Sequence, residues 1–137
     1  MSNKRVLSTL ILILTILIVL FFTFQKPERS RDLSETVRTW LSSVGINVDY
    51  KTLRSNIHIP EYFIVGLAVC NFCRLRGWKI WPGIILACVI GILDESVKIL
   101  LPGREFDAVD MIKDWLGVLV AAIIVFLIKS ERRPNNG

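Results

Sequence analysis

Four long apolar runs dominate the chain, and polar segments separate them. A helix rises about 1.5 Å per residue, so a run of about 20 residues crosses a hydrocarbon core about 30 Å thick. The runs are Val6–Phe24, Ile57–Cys73, Ile80–Leu101 and Ala108–Ile128. This pattern predicts an all-α membrane protein with four transmembrane helices.

The first outer loop, residues 25–56, contains a shorter helical pattern. Its apolar residues recur at helical spacing: Leu33, Val37, Trp40, Leu41 and Val44. The loop therefore predicts an amphipathic helix, with Asp32 as its N-cap and Gly45 as the residue that ends it. We expect this helix to lie at the membrane interface. The alternative is a lid over a site.

Composition agrees with a membrane protein and indicates one domain over residues 1–137. Of the residues, 53% are hydrophobic and 21% are charged, which is too apolar for an ordinary soluble domain. The formal net charge is +5, and Lys and Arg lie at the ends of the apolar runs. That placement fits membrane topology and lipid headgroups, so we expect membrane lipids and no nucleic acid as partners.

Basic residues predict the orientation. Lys4 and Arg5, the acid-free turn at residues 74–79 and the tail at residues 129–137 fall on one side if four helices cross. Positive-inside bias makes that side the cytoplasm, with both termini there. The first run could instead be a signal peptide, whose apolar region is shorter, about 7–15 residues. Its length favours a retained anchor.

Charged residues interrupt the third and fourth runs. Asp94, Glu95 and Lys98 lie in the second half of the third run, and Asp110 and Asp114 lie in the first turns of the fourth. Asp94 and Lys98 are i and i+4 with the acid first, so we expect them to pair. Charge near the middle of a membrane costs at least ~2.5–3.5 kcal/mol per residue, so such side chains usually face a protein interior and have a function. A charged site built from two helix ends and their linker is therefore expected.

Acids outnumber bases at this outer end. The acids are Glu61, Asp94, Glu95, Glu105, Asp107, Asp110 and Asp114, and the bases are Lys98, Arg104 and Lys113. Carboxylates this close need a cation, a proton or a basic partner. Internal ion pairs such as Arg104 with Asp107, a bound divalent cation, and a cationic ligand group all remain open. The candidate metal ligands are His58, Asp94, Glu95, Asp107 and Asp110.

Several residues have simpler interpretations. Cys70, Cys73 and Cys88 lie inside apolar runs, and we expect them to pack as small apolar residues. Asp107 suits an N-cap, and Pro102-Gly103 suits a turn. Gly117 continues the face of the spaced Asp residues and would let a neighbouring helix approach closely.

The pattern Asp94-Glu95-x-x-Lys98-x-x-x-Pro102-Gly103-Arg104-x-x-Asp107-x-x-Asp110-x-x-x-Asp114-x-x-Gly117 resembles the signature of the VanZ-like membrane proteins. Upstream, Arg54 and His58 resemble the basic-x-x-x-His segment that opens the second span of that family. The resemblance covers residues 53–117, about half of the chain. Lys98 stands where Gln is usual and Asp114 where Asn is usual, and these two would compensate each other by pairing.

The resemblance implies a small bacterial inner-membrane protein linked to resistance to teicoplanin, a lipoglycopeptide antibiotic. Positions that match or flank the pattern become ligand-binding candidates: Arg54, His58, Glu61, Asp94, Glu95, Lys98, Arg104, Asp107, Asp110 and Asp114. The leading hypothesis is an outer-leaflet charged pocket that binds a lipid-linked or cell-wall precursor ligand. A hydrolase or phosphotransferase using a divalent cation is the alternative. The third hypothesis is a structural or regulatory subunit that packs on a partner through its first span.

Overall fold

The computed structural model describes residues 3–24, 27–102 and 105–131, with the side chains of these ranges other than 27–30 and 129–131. Within these ranges the chain is all helical. The helices are α1 (Asn3–Thr23), α2 (Pro27–Ser43), α3 (Tyr50–Asn56), α4 (His58–Leu75), α5 (Trp81–Lys98) and α6 (Ala108–Glu131). The predicted turn at Gly103, the ion pairs of Arg104 and the tail from residue 132 lie outside the described residues.

Each apolar run forms one helix, so the predicted order of long helices is confirmed. Two of them, α1 over Asn3–Thr23 and α6 over Ala108–Ile128, are long and apolar enough to cross a membrane. The third run is shorter as a helix than as an apolar segment, because α5 ends at Lys98 rather than at Leu101. Its last turns contain the three charged residues of the run.

Contacts between helix ends give the direction of each helix. At one end of the bundle, Arg5 Nε of α1 donates to Leu75 O of α4 at 3.0 Å. At the other end, the Thr23 hydroxyl of α1 contacts the Asp94 carboxylate of α5. We call the first the basic end and the second the acidic end. The α1 and α5 helices therefore run parallel to each other, and α4 runs against α1.

The packing of α4 on α6 is the most extensive helix contact, and two glycines make it close. A Cβ atom added at Gly117 would lie 2.4 Å from Ile59 O, and one at Gly66 would lie 2.8 Å from Ala121 Cβ. The predicted close approach at Gly117 is therefore confirmed. This contact fixes the start of α4 against the first turns of α6.

The bundle is apolar outside and partly polar inside. On α1, Leu7, Leu14 and Leu17 are exposed, whereas Ser8 and Thr15 are buried. Their hydroxyls donate to carbonyls of the preceding turn, Ser8 to Arg5 O at 2.9 Å and Thr15 to Ile11 O at 2.8 Å. Small hydroxyl residues between helices and large apolar residues outside are typical of helices in lipid.

The predicted amphipathic helix is α2, but its predicted start is wrong. The helix begins at Pro27, five residues before Asp32, because proline is well suited to the first helical position. Its predicted end is confirmed: Gly45 has φ +85°, and Ile46 N donates to Leu41 O at 2.9 Å. This is a Schellman-type ending that requires a left-handed residue.

A second helix in the same loop, α3, was not predicted. Asp49 caps it by accepting from Lys51 N at 3.1 Å and Thr52 N at 3.4 Å. Ile57 then continues in helical backbone conformation into α4. The result is that Arg54 in the last turn of α3 lies close in the chain to the charged start of α4.

The cysteines pack as predicted. Cys70, Cys73 and Cys88 are all free thiols. Cys70 and Cys73 are buried within the apolar core, and Cys88 packs against it. The structure thus assigns them to packing.

Candidate functional site

His58 joins α4 to two carboxylates of α6. Its Nδ1 lies 2.9 Å from Asp114 Oδ1, and its Nε2 lies 3.5 Å from Asp110 Oδ2. Asp110 and Asp114 are one helical turn apart, so both face the same imidazole. The predicted pairing of Lys98 with Asp114 is wrong, because Asp114 is bound by His58 and no ion pair joins it to Lys98 in the described part of the chain.

Lys98 instead pairs within its own helix. Its Nζ lies 3.8 Å from Asp94 Oδ2 and contacts Glu95 Oε1. The predicted pair of Asp94 with Lys98 is confirmed. All three residues are buried, with Glu95 fully so. One ammonium group is therefore shared by two buried carboxylates.

Neutral side chains complete this cluster, and the sequence did not single them out. The Thr23 hydroxyl contacts Asp94 Oδ1, and the Ser55 hydroxyl contacts Asp110 Oδ1. Lys113 Nζ donates to Ser55 Oγ at 2.6 Å and to Asn56 Oδ1 at 3.0 Å. Sequence position could have pointed to them: Thr23 lies at the end of an apolar run, and Ser55 precedes His58 by three residues.

Asp107 has a structural role. Its Oδ1 accepts from Val109 N at 2.8 Å, which caps the start of α6, and its side chain is exposed. Its backbone N–H donates to Glu95 Oε2 at 3.2 Å. The alternative that Asp107 is a cap is confirmed, and its assignment as a metal ligand is not supported by this geometry.

Four side chains are arranged closely enough to hold a cation. His58, Asp94, Glu95 and Asp114 each offer one ligand atom, and these atoms lie within 4.8 Å of one another. Asp114 Oδ2 is buried and has no hydrogen-bond partner in the described residues. Lys98 Nζ contacts two of the same carboxylates, so a cation bound there would compete with the ammonium group.

A cavity of about 450 Å³ opens beside this cluster. Its apolar wall comes mainly from α1 and α2: Ile18, Val19, Phe22, Leu33 and Val37. Its lining also includes the apolar Ile57, Pro60 and Ile64 and the charged or titratable Arg54, His58, Glu61, Asp94, Lys98, Glu105 and Asp110. A cavity lined by both apolar and charged side chains suits an amphiphilic molecule. The α2 helix forms part of the wall, as the lid alternative requires.

Two half-buried charged groups of the cavity wall have no partner in the described part of the chain. Arg54 and Glu61 are half-buried, and neither makes a hydrogen bond or an ion pair within the described part of the chain. The candidates His58, Asp94, Lys98 and Asp110 are engaged with one another or with neighbouring hydroxyls. Arg54 and Glu61 are therefore the groups best placed to meet a ligand.

Comparison with known proteins gives a family over nearly the whole chain. A family model described as VanZ/LLP1 matches residues 8–129, a range that includes every described site residue above. No curated protein and no solved structure matches the chain. The resemblance seen at residues 53–117 is thereby confirmed and extended, and with the two membrane-length helices it indicates a membrane protein.

Proposed function

The chain belongs to the VanZ/LLP1 family, and from this premise we propose that it is a multi-pass membrane protein that binds an amphiphilic, lipid-linked ligand of the bacterial cell envelope. In this proposal α1, α4, α5 and α6 all cross the membrane, and the acidic end lies at the outer leaflet. The α2 helix lies at the outer interface and covers the cavity. Both termini lie in the cytoplasm.

Surface polarity and charge support this arrangement. Exposed leucines and isoleucines cover the outer faces of the long helices, including Leu86 and Leu93 on α5 and Leu119 on α6. The end of α4 and the turn that follows it, residues 74–79, carry Arg74, Arg76 and Lys79 and no acid. Positive-inside bias favours the cytoplasm for that turn, which leaves the acidic end outside.

The cavity is the observation that carries the proposal. An acyl or polyprenyl chain fits against Ile18, Phe22 and Val37, while a polar headgroup reaches Arg54 and Glu61. Ligand sites of this kind are largely apolar, with a few placed polar groups that fix orientation. Binding requires no catalysis by these residues.

Binding of an envelope amphiphile in the outer leaflet would change the cell surface that a glycopeptide antibiotic contacts. The direct test is teicoplanin susceptibility of a sensitive bacterium that expresses the protein. We expect the wild type to raise resistance, Glu61→Gln to abolish it, and Glu35→Gln to retain it at matched membrane levels. Glu35 is a matched control because it lies on α2 and pairs with Arg38 at 3.0 Å, away from the charged cluster.

Two outcomes would count against this proposal. If the wild type has no effect, the link to glycopeptide susceptibility does not extend to this protein. If all three proteins protect equally, the cavity is not the working site.

A metal-dependent hydrolase or phosphotransferase is the second candidate function, favoured by the four clustered ligand atoms and the unpartnered Asp114 Oδ2. His58, Asp94, Glu95 and Asp114 would hold a divalent cation, which would polarise a phosphoryl group. The test is thermal unfolding with Mg²⁺ or Mn²⁺. A stabilisation that is lost in Asp114→Asn and kept in Asp107→Asn supports this candidate, and no stabilisation of the wild type refutes it.

A further inference from the structure

We propose that the ligand headgroup is zwitterionic and carries a phosphate and an ammonium group, as a phosphoethanolamine headgroup does. Arg54 binds the phosphate, and Glu61 binds the ammonium. This inference rests on the proposed function, because it specifies the ligand class of the same cavity. It follows from which charges of the wall are already neutralised and which are not.

Most charged groups of the cavity wall already contact a charged or titratable partner inside the protein. Lys98 is held by Asp94 and Glu95. His58 is held between Asp110 and Asp114. These groups already have close partners and offer little to a ligand.

Three charged groups of the wall remain without such partners. Glu105 is exposed, so water solvates its carboxylate. Arg54 and Glu61 are half-buried and lack a hydrogen-bond or ion-pair partner among the described residues. The half-buried groups without a hydrogen-bond or ion-pair partner in the described part of the chain are thus one cation and one anion, and a ligand with a single charge would pair with one of them and leave the other unpaired.

Arg54 and Glu61 are separated in a way that leaves room for a headgroup between them. They are seven residues apart, and the backbone stays helical across the joint: Ile57 N donates to Leu53 O at 3.1 Å, and Glu61 N donates to Ile57 O at 3.2 Å. Seven residues are about two helical turns, so the backbone positions of Arg54 and Glu61 are separated by about 11 Å along the helix axis and lie on one face. Among the ion pairs of the described residues, none joins these two side chains.

The chemistry of each group fits its half of the ligand. A guanidinium group binds phosphate oxygens through two parallel N–H donors. A carboxylate only accepts hydrogen bonds, so it suits an ammonium group that only donates. The apolar wall formed by α1 and α2 continues from this pair and fits the hydrocarbon chain of a lipid.

The test is retention of defined lipids by the full-length protein in detergent, measured by native mass spectrometry. Phosphatidylethanolamine carries both charges, and phosphatidylglycerol carries the phosphate without the ammonium. We expect the wild type to prefer phosphatidylethanolamine by about tenfold, which corresponds to about 1.4 kcal/mol. Free phosphoethanolamine, added as a third probe, distinguishes a lipid headgroup from a soluble phosphoamine.

Variants assign the two charges. Glu61→Gln is expected to remove the preference between the two lipids, because it removes the partner of the ammonium. Arg54→Gln is expected to weaken retention of both lipids. Glu35→Gln and Arg38→Gln remove the same charge types from an exposed pair on α2 and are expected to change neither result. Unchanged thermal unfolding confirms that each variant is folded.

The outcomes separate this inference from the proposed function. Equal retention of the two lipids by the wild type, or a preference that survives Glu61→Gln, overturns the zwitterion. If an amphiphile without an ammonium group, such as a polyprenyl phosphate, is retained instead, the zwitterion fails and the amphiphile cavity stands. If no amphiphile is retained, both fail.

Discussion

The charged side chains at the two ends of the bundle differ in their burial and in their partners. At the basic end, the Arg76 guanidinium lies 3.6 Å above the Phe72 ring and donates to Thr9 Oγ1 at 2.7 Å. Arg5 donates to a backbone carbonyl of α4. These cations bind neutral groups and are partly exposed. At the acidic end, by contrast, Glu95 and Asp114 are fully buried and contact charged or titratable partners.

This difference separates a structural contact from a candidate site. A partly exposed cation that binds neutral acceptors stays solvated when a contact is lost. A buried carboxylate that depends on one ammonium group does not. The basic end therefore ties α1 to α4, whereas the acidic end is a network whose members depend on one another and leave Arg54 and Glu61 unmatched.

The largest effect is expected for Lys98→Met. It leaves Asp94 and Glu95 buried without their cation, and breaking such a pair costs about 3–5 kcal/mol of the free energy of unfolding. Unfolding in detergent micelles measures it. Lys113→Met is the control, because the partners of Lys113 among the described residues are the neutral Ser55 and Asn56. Equal losses in the two variants would contradict a network at the acidic end.

Gly117→Ala comes next. The added Cβ would lie 2.4 Å from Ile59 O, and overpacking of this kind costs about 1–3 kcal/mol. The melting temperature should fall more than for Gly91→Ala, where the nearest atoms lie at 3.3 Å. If Gly91→Ala is the more damaging, the close α4–α6 contact does not position the acidic end.

Thr23→Val tests the link between α1 and the acidic end. The change removes the hydroxyl that contacts Asp94, and the net loss of one hydrogen bond is about 1 kcal/mol. Thr15→Val serves as the comparison, since within the described ranges the Thr15 hydroxyl bonds to Ile11 O of its own helix. Chemical denaturation of both variants should show the larger loss for Thr23→Val, and the reverse order would argue against the Asp94 contact.

The smallest effect is expected for Arg76→Met at the basic end. A cation–π contact at a partly exposed site contributes about 0.5–1 kcal/mol. The neutral acceptors left behind can accept hydrogen bonds from water instead. The loss of stability should be several-fold smaller than for Lys98→Met in the same detergent. A loss as large as that of Lys98→Met would remove the distinction between the two ends.

The sequence predicted the helices better than it predicted the contacts between them. Apolar runs locate α1, α4, α5 and α6, because helix length and apolarity are properties of one segment. The apolar pattern did not predict the short α3, because the sequence of this helix is polar and its start depends on a single cap, Asp49. The early start of α2 at Pro27 depends on a local preference that an apolar pattern does not show.

At the site, too, the sequence predicted contacts within one helix and not contacts between helices. Spacing within one helix predicted the pair of Asp94 and Lys98, since i and i+4 positions share a face. The partner of Asp114 lies on another helix, so spacing gave no information, and His58 rather than Lys98 holds it. Thr23 and Ser55 are neutral and common residue types, and only packing reveals that they contact carboxylates.

The central claim is that the cavity at the acidic end holds an amphiphile, and filling its apolar wall tests this most directly. Ile18→Trp places a large side chain at the wall from a half-exposed position of α1, whereas Ile13→Trp places one at a similarly exposed position outside the wall. Mass spectrometry of the purified proteins measures the amphiphile that is retained. If the cavity holds the amphiphile, Ile18→Trp loses it and Ile13→Trp keeps it, whereas equal retention by both variants would show that the amphiphile does not bind in this cavity.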